Sequence, residues 1–407
     1  VKFLSKTDEE GYGKERHMQL YRKKWIQRAE REEPDPSLPL LERVLAARGW
    51  SKAKAQAFLQ TGGEGFHDPF LLPDMDAACD AVLYAITGQQ LILVYGDYDA
   101  DGVTATALLV DFLRQCGALV GWYIPGRLDE GYGLSMTGVG YAVAAGAGLV
   151  ITVDCGIRSF EEAEQLAAAG VGLVITDHHQ CGERLPNAAA VVNPHRSDSA
   201  YPFQDICGAA VALKLTQALS QCLECPDLWR SGLDLAAVGT VADIMPLMDE
   251  NRAIVQAGLQ RMEAAPRLGL TALLEALEVS ARPLRSAAIA YRIAPALNAA
   301  GRMGDSLSGV ECLTARDEVR ARAKAAHLVR LNQERRTTER EVAERLNDLL
   351  VQEPERLAHP VLVVEGADWH PGVLGILAAR LSEELLRPVV VLSADGEEAE
   401  TAPIVYK

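Results

Sequence analysis

Between Leu91 and Val192 short apolar runs alternate with longer segments of helical periodicity, and few folds accept that order. The runs are Leu91–Tyr95, Leu119–Ile124, Leu149–Val153, Gly172–Thr176 and Ala189–Val192, each about as long as an ordinary strand. Helical patterns fill the gaps at Val103–Cys116, Thr137–Ala145 and Phe160–Ala169. Strands that alternate with helices predict βαβ units and a parallel sheet covered on both faces. The expected fold class is therefore α/β, with a doubly wound domain that places its ligands outside the carboxyl ends of the strands.

Acids and imidazoles stand at those ends. The first run leads into Asp97-Tyr-Asp99-Ala-Asp101-Gly102, with an acid at every second position. In an extended backbone such side chains project to one side. Three carboxylates crowded together cannot all stay ionised without a neutralising charge, and a divalent cation held by oxygen ligands supplies one. The alternative is an acidic surface loop that caps the next helix. The third run ends in Asp154 and the fourth in Asp177-His178-His179, while Gly239-Thr-Val-Ala-Asp243 closes a helix. Mixed carboxylate and imidazole donors suit Mn2+ or Mg2+, the histidine favouring manganese. Two such ions about 3.5–4 Å apart can activate water and stabilise an in-line displacement at phosphorus.

The rest of the chain surrounds this centre. Its 407 residues suffice for two or three domains. The net charge of −16 argues against a protein that simply coats nucleic acid, though a local basic groove can still grip phosphate. No apolar run approaches the roughly 18–20 residues of a membrane span. Eight cysteines without a regular framework suggest reduced thiols and a cytoplasmic protein, and the lone pair Cys222 and Cys225 is a poor zinc site. Residues 1–17 read as a leader foreign to the fold, joined at His17-Met18. Residues 18–89 read as a helical extension, with short helices in Leu38–Leu59 and another over Met75–Thr87. Helices over Cys207–Leu223, Leu233–Ile244, Asn251–Glu263 and Ser286–Ala299 would complete a domain spanning 90–313. Residues 314–352 hold one long polar helix, read as a solvated connector carrying Arg330, Arg335, Arg336 and Arg340. Residues 353–407 begin a smaller α/β domain, with strands Val361–Glu365 and Val389–Leu392 around helix Val373–Leu385, and end in a weakly patterned tail that suggests truncation.

The stretches Asp97-Tyr-Asp-Ala-Asp-Gly, Asp154-Cys-Gly-Ile, Asp177-His-His and Gly239-Thr-Val-Ala-Asp243 together resemble the successive motifs of the DHH phosphoesterase superfamily. Three more narrow the resemblance to the RecJ family of single-strand-specific exonucleases: Pro125-Gly-Arg127-Leu-Asp-Glu-Gly-Tyr-Gly, Pro295-Ala-Leu-Asn298-Ala-Ala-Gly-Arg302-Met-Gly and Trp369-His370-Pro-Gly-Val-Leu-Gly-Ile. It runs from about Trp25 to Leu392 and implies a role for each matched residue. Asp99 and Asp101 would serve separate ions, with Asp97 beside the first. Asp154 would bridge both, and His178 and Asp243 would complete the second site. His179 would contact the scissile phosphate or assist the leaving oxygen. Arg127, Asn298, Arg302 and His370 would contact phosphate, with Arg302 orienting it. Some relatives have histidine where this chain has Tyr95, which receives a structural reading. The final segment would open a DHHA1-like domain, although nothing after Leu392 matches the family's glycine- and arginine-containing loop.

The resemblance further implies two-metal 5′→3′ hydrolysis of single-stranded DNA to nucleoside 5′-monophosphates, in DNA repair and recombination. The implied partners are a strand with a 5′ end, single-stranded-DNA-binding protein and a helicase, with no membrane. The alternatives are another DHH phosphodiesterase acting on short oligoribonucleotides or cyclic dinucleotides, and an inactive scaffold that keeps the fold.

Overall fold

The computed structural model describes residues 35–59, 65–395 and 398–401, so the expected leader lies outside the described residues. The chain divides into two compact units, Val1–Gly62 and Gly63–Lys407. The described part of the first is a helical pair, α1 (Leu40–Ala47) and α2 (Lys52–Leu59), with Trp50 set edge-on to Phe58.

The second unit opens with α3 (Met75–Thr87), then β1 (Leu91–Gly96), α4 (Ala100–Gln115), β2 (Val120–Tyr123), α5 (Met136–Ala144) and β3 (Ala147–Val153). After these come α6 (Phe160–Ala168), β4 (Gly172–Thr176) and β5 (Ala190–Val192). The five strands are parallel in the order β2-β1-β3-β4-β5. Strand residues alternate between two cores: Ile92, Val94, Ile151 and Val174 enter one, and Leu93, Tyr95, Val150 and Ile175 the other. Burial on both faces explains why these strands read as continuous apolar runs. The winding direction reverses between β1 and β3, and their carboxyl ends border the crevice where such sheets bind ligands.

Helix α3 packs Met75, Ala78, Cys79, Val82 and Ala85 into the larger core, so it belongs with the sheet although the expected extension ran to residue 89. Beyond the sheet lie α7 (Gly208–Cys222), α8 (Leu233–Ala242), α9 (Asp249–Ala264) and α10 (Leu268–Ala276). The helix expected over Ser286–Ala299 is broken into α11 (Ser286–Ala288), a π-turn over Ile289–Ile293 and α12 (Ala294–Arg302). Pro295 explains the break, because its ring has no N–H and crowds the carbonyl one turn earlier. Next come α13 (Leu307–Leu313) and α14 (Glu318–Gln352). Helices α10 and α13 have no counterpart among the expected elements.

Helix α14 corrects the expectation of a solvated connector. Ala321, Ala325, Leu328 and Leu331 enter the larger core, and Val342, Ala343, Leu346 and Leu350 are buried farther along. Then follow β6 (Leu362–Ala367), α15 (Pro371–Leu385), β7 (Val389–Asp395) and β8 (Glu398–Thr401). Strands β6 and β7 are parallel and β8 pairs antiparallel to β7, where a weakly patterned tail was expected. Among the described residues no helix is long and apolar enough to cross a membrane.

Candidate metal centre

Strand β1 stops at Gly96, where a Cβ would stand 1.9 Å from Thr106 Oγ1. The chain then turns tightly: Gly102 is pressed against the backbone of Asp97, with room for no side chain. Asp99 caps α4, its Oδ1 accepting from Asp101 N at 2.8 Å and Gly102 N at 3.0 Å. The capping alternative thus holds for Asp99, and its carboxylate also belongs to a potential metal group. Asp101 lies in the first helical turn, so the three acids do not share one face of an extended strand as the spacing suggested. It turns instead to the start of α7, accepting from Gly208 N at 2.6 Å and Ala209 N at 3.0 Å.

Seven of the expected residues come together here. Ligand atoms within 4.8 Å of one another define three groups: Asp97, Asp99 and Asp154; Asp101, His178 and Asp243; and Asp154, His178 and His179. Asp154, which follows β3 with φ of 62°, is shared. His178 Nε2 lies 3.1 Å from Asp154 Oδ1, 3.7 Å from Asp243 Oδ2 and 4.0 Å from Asp101 Oδ2. Asp177 stands behind the histidines, accepting from the backbone N–H groups of Ile157, His178 and His179 and from His179 Nδ1 at 2.8 Å.

Burial and mutual repulsion set the electrostatics. Burial, then Asp99, pushes Asp97 up to about 8. Burial, then Asp101 and Asp99, pushes Asp243 up to about 7. Asp99 and Asp154 are raised for the same reasons, and burial lowers His178, which favours the neutral imidazole that can ligate a metal. Asp97 Oδ1, Asp154 Oδ1 and Asp243 Oδ2 are buried without a hydrogen-bond partner. Orphaned carboxylate oxygens beside a neutral imidazole fit a cation that takes oxygen and nitrogen donors.

Tyr132 joins the site without having been assigned a role. Its hydroxyl lies 3.2 Å from the Asp154 carbonyl and 3.0 Å from His179 Nδ1. Glycines with positive φ, Gly131 and Gly133, flank it. The Gly-Tyr-Gly pattern was the available signal, but it does not say where the ring lands. The Asp177 carboxylate holds His179 above its ordinary range. Tyr95 is buried, its hydroxyl donating to Gly133 O and accepting from Ser135 N, and its ring stacks on Tyr123.

The residues expected to meet phosphate divide into two kinds. Arg127 lies over the Tyr98 ring at 5.0 Å and close enough to Asp97 to draw its pKa down. Arg302 is lowered to about 10 by burial, then by Arg127 and Arg335. Its Nη1 donates to Gly372 O at 3.2 Å. His370 and Asn298 also engage the backbone, each through one side-chain atom. His370 Nδ1 accepts from Gly372 N and caps α15, which leaves the proton of a neutral ring on Nε2. Asn298 Oδ1 accepts from Ala100 N at 2.8 Å, so its carbonyl secures the aspartate loop.

Residues 91–240 match the family model described as DHH family, N-terminal domain. The single-stranded-DNA-specific exonuclease RecJ of Bacillus subtilis is 38% identical over 361 residues, and that of Dickeya dadantii 39% over 383. A crystal structure of exonuclease RecJ bound to manganese superposes with a TM-score of 0.72 at 39% identity, covering 79% of this chain and 80% of that one. The chain belongs to the RecJ family of DHH proteins. A second RecJ structure, from Thermus thermophilus in complex with Mn2+, gives a TM-score of 0.71 at 35% identity over 88% of this chain and 53% of that one. The alignments cover 88% and 91% of this chain but 45% of the B. subtilis RecJ and 66% of the D. dadantii RecJ.

Proposed function

We propose that this chain carries the catalytic centre of a metal-dependent exonuclease that shortens single-stranded DNA from its 5′ end to nucleoside 5′-monophosphates. The observation that carries the reading is Asp154, shared between two adjoining groups of ligands whose buried oxygens lack partners. Asp97, Asp99 and Asp154 would hold one divalent ion, and Asp101, Asp154, His178 and Asp243 the other. Mn2+ or Mg2+ held by these residues would supply Lewis-acid charge and lower the pKa of a bound water for attack at phosphorus. The relatives' names and the manganese-bound RecJ structures support the substrate and the metal.

The chain's own residues orient the strand. Arg127 and Arg302 supply positive charge beside the acids, and arginine's planar fork suits phosphate oxygens. Burial of Arg302 strengthens its hold on an anion while its bond to Gly372 O fixes its direction. His179, held through Nδ1 by Asp177, would contact the scissile phosphate or assist the leaving oxygen. His370 offers its Nε2–H as a further donor, while Asn298 acts chiefly by holding the aspartate loop. Residues 90–313 would form the catalytic domain together with α3, and residues 353–407 the start of a DHHA1-like domain. Cooperation with single-stranded-DNA-binding protein and a helicase, in a cytoplasmic repair role, completes the proposal.

Asp154→Asn keeps the side chain's shape and removes its charge. With Mn2+ and a labelled single-stranded oligonucleotide, the variant is expected to lose cleavage together with bound metal measured by mass spectrometry. Cleavage near the wild-type rate refutes the assignment. Faster turnover of di- and trinucleotides than of long single-stranded DNA would point to the short-oligonucleotide alternative.

A further inference from the structure

Helix α8 ends beside Asp243, and the chain reverses there through a two-bond cap. Ile244 N donates to Val241 O at 3.3 Å and Met245 N to Thr240 O at 3.2 Å. Glycine usually occupies the left-handed position of this motif. Here the residue is Ile244, with φ of 58°. Branching at Cβ makes that backbone region costly, and among the described non-glycine residues with positive φ Ile244 alone is β-branched. Burial does not offset the strain, because Ile244 is 89% exposed. Glycine or asparagine would make the same turn with less strain and less bare apolar surface.

Its position limits what the side chain can serve. Adjacent Cα atoms are about 3.8 Å apart, so Ile244 stands next to Asp243, whose Oδ2 lies 3.7 Å from His178 Nε2. Exposed and one residue from that group, Ile244 stands where nucleotides flanking a scissile phosphate held there would meet it. We propose that Ile244 is an apolar contact for an unstacked nucleobase next to the scissile phosphate. The inference rests on the exonuclease reading above and adds a determinant of strand selection to it. Every base has an apolar face, so one aliphatic contact grips the strand without reading its sequence. A base still paired and stacked in a duplex cannot offer that face.

The test uses the full chain with Mn2+, the variants Ile244→Gly and Ile244→Asn, and two oligonucleotides. One is an ordinary single strand, and the other carries abasic residues at its two 5′-terminal positions. On the ordinary strand both variants are expected to lose about tenfold in kcat/KM, chiefly through KM, as fits partial loss of one apolar contact. On the abasic strand they should match the wild type within about twofold. The glycine variant should also melt about 1–3 °C higher as strain is relieved. Unchanged kcat/KM on the ordinary strand, an equal loss on both strands, or a lower melting temperature for the glycine variant overturns the proposal. If the wild type hydrolyses neither strand, it is the exonuclease reading that fails. Anisotropy of the same strands labelled with fluorescein then decides on Ile244: a base-dependent loss of affinity supports the contact and equal affinity overturns it.

Discussion

A methyl group added at Gly208, the first residue of α7, would stand 2.4 Å from Cβ and 2.5 Å from Oδ1 of Asp154. Ordinary carbon contacts are about 3.5–4.0 Å, so the carboxylate or the helix must give way by about 1 Å. Alanine otherwise suits a helix, improving on glycine by at most about 1 kcal/mol, whereas overpacking costs about 1–3 kcal/mol. The fold should therefore survive Gly208→Ala with a small net loss. The site should not, because Asp154 is shared between groups and a displacement of about 1 Å can cost about 10²-fold in rate. Moving the helix instead drags Asp101, which accepts from Gly208 N at 2.6 Å. The expected result is about 10²-fold slower Mn2+-dependent cleavage of a single-stranded oligonucleotide, with weaker Mn2+ binding by calorimetry and a melting curve close to wild type. Gly140→Ala on α5 is the control, since nothing lies within 4 Å of its Cβ, and it should leave cleavage unchanged. Cleavage by Gly208→Ala within about threefold of wild type would refute the packing argument.

Metal binding should depend on pH. In the metal-free protein Asp243 and Asp97 are raised to about 7 and about 8, against about 3.9 for an unperturbed aspartate. For a raised group the stability contribution is fully present below about pH 4 and is lost as pH rises through the folded value. The metal-free melting temperature should fall between about pH 5 and pH 8.5, while Mn2+ affinity rises across that window with proton release. Calorimetry in buffers of different ionisation enthalpy measures this, and affinity flat in pH would contradict it. Away from the site, Lys214 and Glu250 form a fully buried ion pair at 2.8 Å that also engages Tyr201 and the backbone of His67. Lys214→Met should destabilise the protein by about 3–5 kcal/mol in urea unfolding by stranding the carboxylate, and a loss under about 1 kcal/mol would show the pair to be dispensable.

Local chemistry explains what was readable without coordinates. Leu91–Tyr95, Leu149–Val153 and Gly172–Thr176 announced buried parallel strands because both faces of each are apolar, and Asp154 and His178 drew notice because they follow directly. The aspartates at 97, 99 and 101 were noticed for the right composition and the wrong geometry. Their spacing suited an extended chain, but capping by Asp99 starts a helix at Ala100 and sends Asp101 to α7. Helix α10 was legible in the spacing of Leu270, Leu273, Leu274 and Leu277, but at nine residues, and seven for α13, these helices are shorter than the stretch over which periodicity is usually read. Helix α14 looked solvated because charges are spread along its whole length.

The longest contacts left no trace in sequence. Asn298 lies 198 residues from the amide it holds, Lys214 finds its carboxylate on another helix, and Tyr132 reaches His179 only because both segments meet at the rim of the sheet. By itself the sequence determined the alternation of strand and helix and the kinds of donor at the strand ends, since periodicity and residue chemistry are local properties. Which donors share a group, which polar atoms are already engaged and which side chains remain exposed were decided by tertiary structure, because those depend on how separate helices pack around the switch point between β1 and β3.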